Sequence, residues 1–265
     1  MSFYVNQIGD LEYLCADSLN NVLHGFSTRY GGVSTGIWSS LNLGTHRGDD
    51  PANVRENYRL FCAALGIEPD SLIFASQIHS DIVAAVDHTN RGEGLDRPVP
   101  SHRDAMISNT PGTSLVVFSA DCAPVLLYDP DHRAIGAAHS GWRGTAQDIA
   151  GKTVLAMVNA YASDPARLQA AIGPCLGPCC FETDADVPQA IAQQLGSAAE
   201  EAVEKVGDKY YVNNSLLIRM ELERAGLRPE CIDISTDCTS CQPERFWSYR
   251  RVGQNRGSLA AIIAL

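Results

Sequence analysis

Two residues able to bind a metal ion or move a proton, Cys122 and His139, stand near the ends of the stretch 119–144. Between them, residues 125–128 and 134–138 form two apolar runs with strand propensity. The intervening Asp129-Pro130-Asp131-His132 has Asp and Pro where a type I turn favours them. A hairpin pairing Tyr128 with Arg133 sets Cys122 opposite His139, with Cβ atoms about 4.5–5.5 Å apart. A thiolate and a neutral imidazole at that separation can share a zinc ion, and three protein ligands plus an open position is the catalytic pattern. The same pair can serve as a cysteine nucleophile and its base. It can equally be a buried thiol beside a hydrogen-bonded ring, without chemistry. Spacing alone leaves all three readings open and attaches no third ligand.

Other residues offer weaker chemistry. His46 and Arg47 precede a helix whose start is marked by Asp50 and Pro51, a place where free amides and the helix dipole favour an anion. A solvated charged loop is the plain alternative. Arg143, Arg250 and Arg251 closely follow aromatic residues, and arginine suits bidentate phosphate recognition; surface ion pairs are the other reading. Cys238-Thr239-Ser240-Cys241 is a lone C-x-x-C. A zinc ribbon needs a second such pair, and Cys175 and Cys179 stand at the wrong interval, so these thiols read as incidental, with Cys238 able to line a site. The glycine-rich loop 29–36 is neither a dinucleotide fingerprint nor a P-loop. The zinc nucleoside-deaminase signature is absent.

The elements that must position these groups read as a mixture. Helices are expected over 51–65, 145–161, 186–195 and 213–225. Strands are expected over 22–28, 72–79, 82–86, 104–108, 114–118, 168–172, 231–235, 246–251 and 258–265, with a polar Gly/Pro loop at 88–103. No repeat or linker divides the chain, so its 265 residues are read as a single α+β domain, 1–265, of mixed sheets packed against helices. The net charge of −11, without a basic run, argues against nucleic acid polymers and anionic membranes as partners. No stretch approaches a membrane span, the N-terminus does not read as a signal peptide, and nine irregularly spaced cysteines suit a reducing cytoplasm.

The segments 119–127 (SADCAPVLL) and 137–144 (AAHSGWRG) resemble the YfiH-like, or laccase-domain, family. The likeness continues in order through 24–29, 42–44, 48–51, 77–79, 109–112, 171–174, 177–182, 238–239 and 246–251, nearly the whole chain. Members of that family, once called multicopper polyphenol oxidases, are now described as purine nucleoside phosphorylases. The resemblance implies a zinc ion held by His79, Cys122 and His139. It also implies phosphorolysis of adenosine, inosine or methylthioadenosine to a free base and a pentose 1-phosphate, with adenosine deamination as a second activity. On that footing Cys122, His139 and Asp121 are expected to be catalytic, Asp121 as a proton-transfer group or a support for its neighbour. Arg47 and Arg143, assisted by His46 and Gln77, are expected to bind phosphate or substrate. Ser140 replaces the family's usual Ala, and residues 252–256 lack its common Asp and Thr-Gly, which leaves Arg256 without an assigned role. Copper oxidase chemistry fits poorly, because none of the seven histidines forms a His-x-His pair. Two alternatives to the phosphorylase stand beside it: a cysteine hydrolase or amidase using Cys122 and His139 on a cell-wall-type substrate, and a non-catalytic nucleoside-binding protein.

Overall fold

The computed structural model describes residues 2–265, and two six-stranded mixed sheets form its centre. The first runs, in spatial order, Phe3–Ile8, Leu11–Ala16, Leu23–Ser27, Leu259–Ala264, Ser114–Ser119 and Leu72–Phe74. The second runs Ile232–Ile234, Gln169–Ile172, Ala123–Asp129, Ala134–Ser140, Ala105–Ser108 and Val83–Ala85. Their central strands are apolar on both faces because both faces are covered. In the last strand of the chain Leu259, Ala261 and Ile263 pack between the sheets, against Leu126, Ile135 and Ala137 of the second sheet. Their alternates Ala260, Ile262 and Ala264 pack outward with Val54, Tyr58 and Phe61 of the helix Pro51–Leu65. The outer face of the second sheet is covered in the same way by helices Ile149–Tyr161 and Asn214–Arg224. The result is a helix–sheet–sheet–helix sandwich of the α+β class. A small sheet of Glu182–Thr183, Lys209–Val212 and Val203–Val206 lies apart from these layers.

The helix expected over 51–65 forms for the expected reasons. The Asp50 carboxylate accepts the Ala52 amide, Pro51 opens the first turn, and Gly66 closes it in the left-handed region at φ 71°.

Four expectations are corrected. The hairpin is shifted: Asp129 pairs with Ala134, and Pro124, not Cys122, faces His139. The reason is the turn, where the Asp129 carboxylate accepts the amides of Asp131 and His132 and Arg133 takes φ 48°, so the four-residue loop is 130–133 rather than 129–132. The strand expected over 72–79 stops at Phe74, because the amides of Ile78, His79 and Ser80 bind the Asp104 carboxylate instead of a neighbouring strand. The helix expected from 145 is broken at Asp148, left-handed at φ 62°, into Trp142–Thr145 and Ile149–Tyr161. Residues 246–251 are not a strand. Phe246 and Trp247 are buried in the core, and Ser248 caps the short helix Tyr249–Val252 by accepting the Arg251 amide.

Candidate active site

His79, Cys122 and His139 come together although the hairpin does not pair the last two. Their donor atoms all lie within 4.8 Å of one another, and Cys122 Sγ is 3.8 Å from His79 Nε2. His139 projects from the strand Ala134–Ser140, Cys122 precedes the strand Ala123–Asp129, and His79 sits in the loop after the first sheet's edge strand. His79 holds φ 64° and Asp121, next to Cys122, φ 99°, conformations that side chains adopt only when their surroundings impose them.

Asp104 imposes one of them. Fully buried, its carboxylate accepts the amides of Ile78 (3.1 Å), His79 (3.0 Å) and Ser80 (2.8 Å) and the Ser80 hydroxyl (2.6 Å). It also meets His139 Nδ1 at 2.9 Å. One carboxylate therefore fixes the His79 loop and orients the His139 ring, leaving the other ring nitrogen as a donor, the arrangement that supports metal-bound histidines. Burial would raise the Asp104 carboxyl, but the bonds from His139 and Ser80 hold it well below the ordinary range.

Sequence reasoning placed Asp104 at the head of a strand and assigned it no role. Its partners lie 24 to 35 residues away, and pairing supplies the link: Ala105 faces Ala138, and the His139 amide donates to the Asp104 carbonyl. Gly141 was also missed. A Cβ there would stand 2.8 Å from Cys122 Sγ and 3.1 Å from His79 Cδ2, so the absence of a side chain lets the donors converge.

The donor set fits zinc: one thiolate and two imidazoles at separations suited to bonds of about 2.0–2.3 Å, with three protein ligands and an open side. That side faces a cavity of about 1170 Å³. Without a metal the three groups polarise one another. Burial would raise the Cys122 thiol, but His139 and His79 hold it down to about 6. Burial would lower His139, but Cys122 and Asp104 raise it to about 9.

His46, Arg47, Gln77, Asp121 and Arg143 all line this cavity, but not equivalently. Gln77 is engaged at both ends of its amide with the Phe118 backbone. Asp121 accepts the Thr239 hydroxyl at 2.7 Å and the Arg250 amide at 2.5 Å, so it ties the Cys122 bend to the C-terminal segment. Arg143 lies over the Trp142 ring, 4.2 Å from its centroid. Arg47 is anchored by its Nε, which donates to the Ser258 hydroxyl at 3.1 Å.

Arg256, unassigned from sequence, lines the cavity beside Arg47. It is 6% exposed, its Nη1 donates to the Gly257 carbonyl at 2.8 Å, and its Nε has no partner among the described residues. Burial and the neighbouring Arg47 pull it down to about 10, against the pull of Asp121 and Cys122. Arg250 lines the cavity but is tied to its rim, donating to the carbonyls of Cys180 and Glu182, and Arg251, outside the lining, donates to the Ser240 carbonyl.

The model of the family described as multi-copper polyphenol oxidoreductase laccase matches residues 23–265. The chain belongs to this laccase-domain family. Purine nucleoside phosphorylase YfiH of Escherichia coli is 38% identical over 240 residues, spanning 90% of this chain and 92% of that protein. Purine nucleoside phosphorylase LACC1 of Mus musculus is 33% identical over 266 residues, 97% of this chain but 59% of the longer mouse protein. Among solved structures, YlmD from Geobacillus stearothermophilus superposes with a TM-score of 0.92 at 30% identity, covering 98% of both chains. This laccase-domain chain thus shares its whole sandwich, not just a motif, with these relatives.

Proposed function

We propose that the chain is a zinc-dependent purine nucleoside phosphorylase. It cleaves adenosine, inosine or methylthioadenosine with phosphate to the free base and a pentose 1-phosphate, and deaminates adenosine as a second activity. The names of the relatives support a nucleoside-processing enzyme. The observation that carries the reading is a single cavity lined both by an open His₂Cys donor set and by two neighbouring guanidinium groups, the half-buried Arg47 and the buried Arg256.

Phosphorolysis needs a bound phosphate placed against the anomeric carbon, so that the new C–O bond forms as the C–N bond to the base breaks. Arg47, Arg256 and Ser258 offer the anion a guanidinium pair and a hydroxyl, with His46 beside them. Phe118, Trp142, Phe181 and Tyr249 give the cavity apolar surface suited to a purine ring. When bound, zinc supplies a Lewis acid that polarises the substrate. Nine free thiols suit a cytoplasmic protein.

The test is product analysis. Purified protein given adenosine is expected to release adenine and ribose 1-phosphate only when phosphate is present, and inosine with or without it. No base release over hours, with zinc bound, would overturn the reading.

Cys122, His139 and Asp104 also form the chain of contacts a cysteine hydrolase uses, which favours that as a second reading. With its thiol held down to about 6, Cys122 keeps its thiolate as pH falls until that value. Alkylation of the metal-free protein is therefore expected to stay fast from pH 8 down to near 6 and then fall. The zinc-loaded protein is expected to resist. A protein that purifies without metal and alkylates freely would favour the hydrolase.

A further inference from the structure

The C-x-x-C that looked incidental in the sequence has a second pair after all. Cys179 and Cys180, some 60 residues upstream, bring their sulfurs to those of Cys238 and Cys241, and all four lie within 4.8 Å of one another. Cys241 Sγ is 3.5 Å from Cys179 Sγ and 3.4 Å from Cys180 Sγ. We propose that these four cysteines form a second metal centre, a tetrahedral four-thiolate site that holds one zinc ion.

The dimensions support a single ion. Zinc–sulfur bonds of about 2.3 Å in a tetrahedron put sulfurs about 3.8 Å apart, within the span of this group. One of the four sulfurs has a backbone amide aimed at it. The Gly177 amide donates to Cys238 Sγ at 3.3 Å. Four thiolates around a divalent cation leave two negative charges, and two guanidinium groups stand on the ligand loops. Arg250 donates to the Cys180 carbonyl at 3.0 Å and Arg251 to the Ser240 carbonyl at 3.2 Å. Loading is not a redox step: each protonated thiol releases its proton to solvent as its sulfur binds.

The site would fasten two loops behind the cavity. Leu176 and Phe181, flanking the vicinal cysteines, line it, and Thr239, inside the C-x-x-C, holds Asp121. A zinc ion here acts as a clamp on that wall, separate from the chemistry at Cys122.

The experiment reads zinc content and X-ray absorption at the zinc edge for protein purified without chelators. Wild type is expected to hold two equivalents. Cys122→Ala removes the only sulfur of the first site, and it is expected to retain one equivalent with a sulfur-only shell at about 2.3 Å. Cys241→Ser, at an exposed position, is expected to lose one equivalent and keep the other. A Cys122→Ala protein without zinc, a nitrogen and oxygen shell in its place, or iron instead of zinc would overturn the proposal. So would an unreduced wild-type mass lighter by two hydrogens, the mark of a disulfide. If Cys122→Ala does not fold, the zinc count of Cys241→Ser decides: one equivalent below wild type supports the site, an equal count overturns it.

Discussion

Replacing Cys122 with alanine is expected to abolish both nucleoside phosphorolysis and adenosine deamination, lowering kcat/KM by ~10³-fold or more, with the fold intact. The side chain is a ligand candidate at a bend, so its removal costs little packing, while its loss takes the single anionic donor from the set. A Lewis acid stabilising the transition state by about 4 kcal/mol accounts for a change of that size. Zinc content should fall by one equivalent, and the circular dichroism spectrum and melting should stay close to wild type. A folded variant with wild-type turnover would remove the His79, Cys122 and His139 group from the mechanism. Loss of activity with zinc fully retained would say that the sulfur acts as a nucleophile rather than a ligand.

How much of this site was legible in the sequence depends on the kind of contact. Strands with both faces buried betray themselves as continuous apolar runs, so residues 114–118, 125–128 and 258–265 were found, and Asp50, Pro51 and Gly66 marked the helix between them. Register was not legible. The pairing that put Cys122 opposite His139 was wrong by two residues, because the Asp129 side chain captured two amides and moved the four-residue turn one position along the chain. The two residues still meet, by a different route: Cys122 lies beyond the paired region, beside a glycine, rather than across the ladder. The family resemblance supplied His79 where local pattern could not, since His79 is held by a carboxylate 25 residues away in a strained loop that reads as the end of a strand.

Asp104 and the four-cysteine group failed for the same physical reason. Neither announces itself by spacing, because each is assembled from segments that only the tertiary fold brings together. The sequence contains many aspartates, and only sheet pairing shows which one lies beneath both histidines. In the same way Cys175 drew attention to the wrong interval, whereas Cys180, next to Cys179, was the missing member. In this chain the elements were read from local patterns, and the polar groups that hold the site rigid had to be read from topology.

Arg256→Met is expected to impair phosphorolysis far more than deamination. Methionine keeps much of the buried volume and removes the charge and its donors. The loss of charge-assisted bonds to phosphate, about 3 kcal/mol, corresponds to ~10²-fold in kcat/KM for phosphate. Deamination consumes no phosphate and should fall much less, so the ratio of the two activities is the measurement, taken on the same preparation. Stability gives an independent reading. At neutral pH Arg256 stays charged, being pulled down only to about 10, yet it is buried beside Arg47 with an unpartnered Nε, so its charge opposes folding until an anion arrives. Phosphate should therefore raise the melting temperature of wild type and leave that of Arg256→Met almost unchanged, because a ligand stabilises only the state that binds it. Equal stabilisation of both proteins by phosphate would move the phosphate position away from Arg256, and an equal loss of both activities would make the residue a support of the cavity rather than an anion ligand.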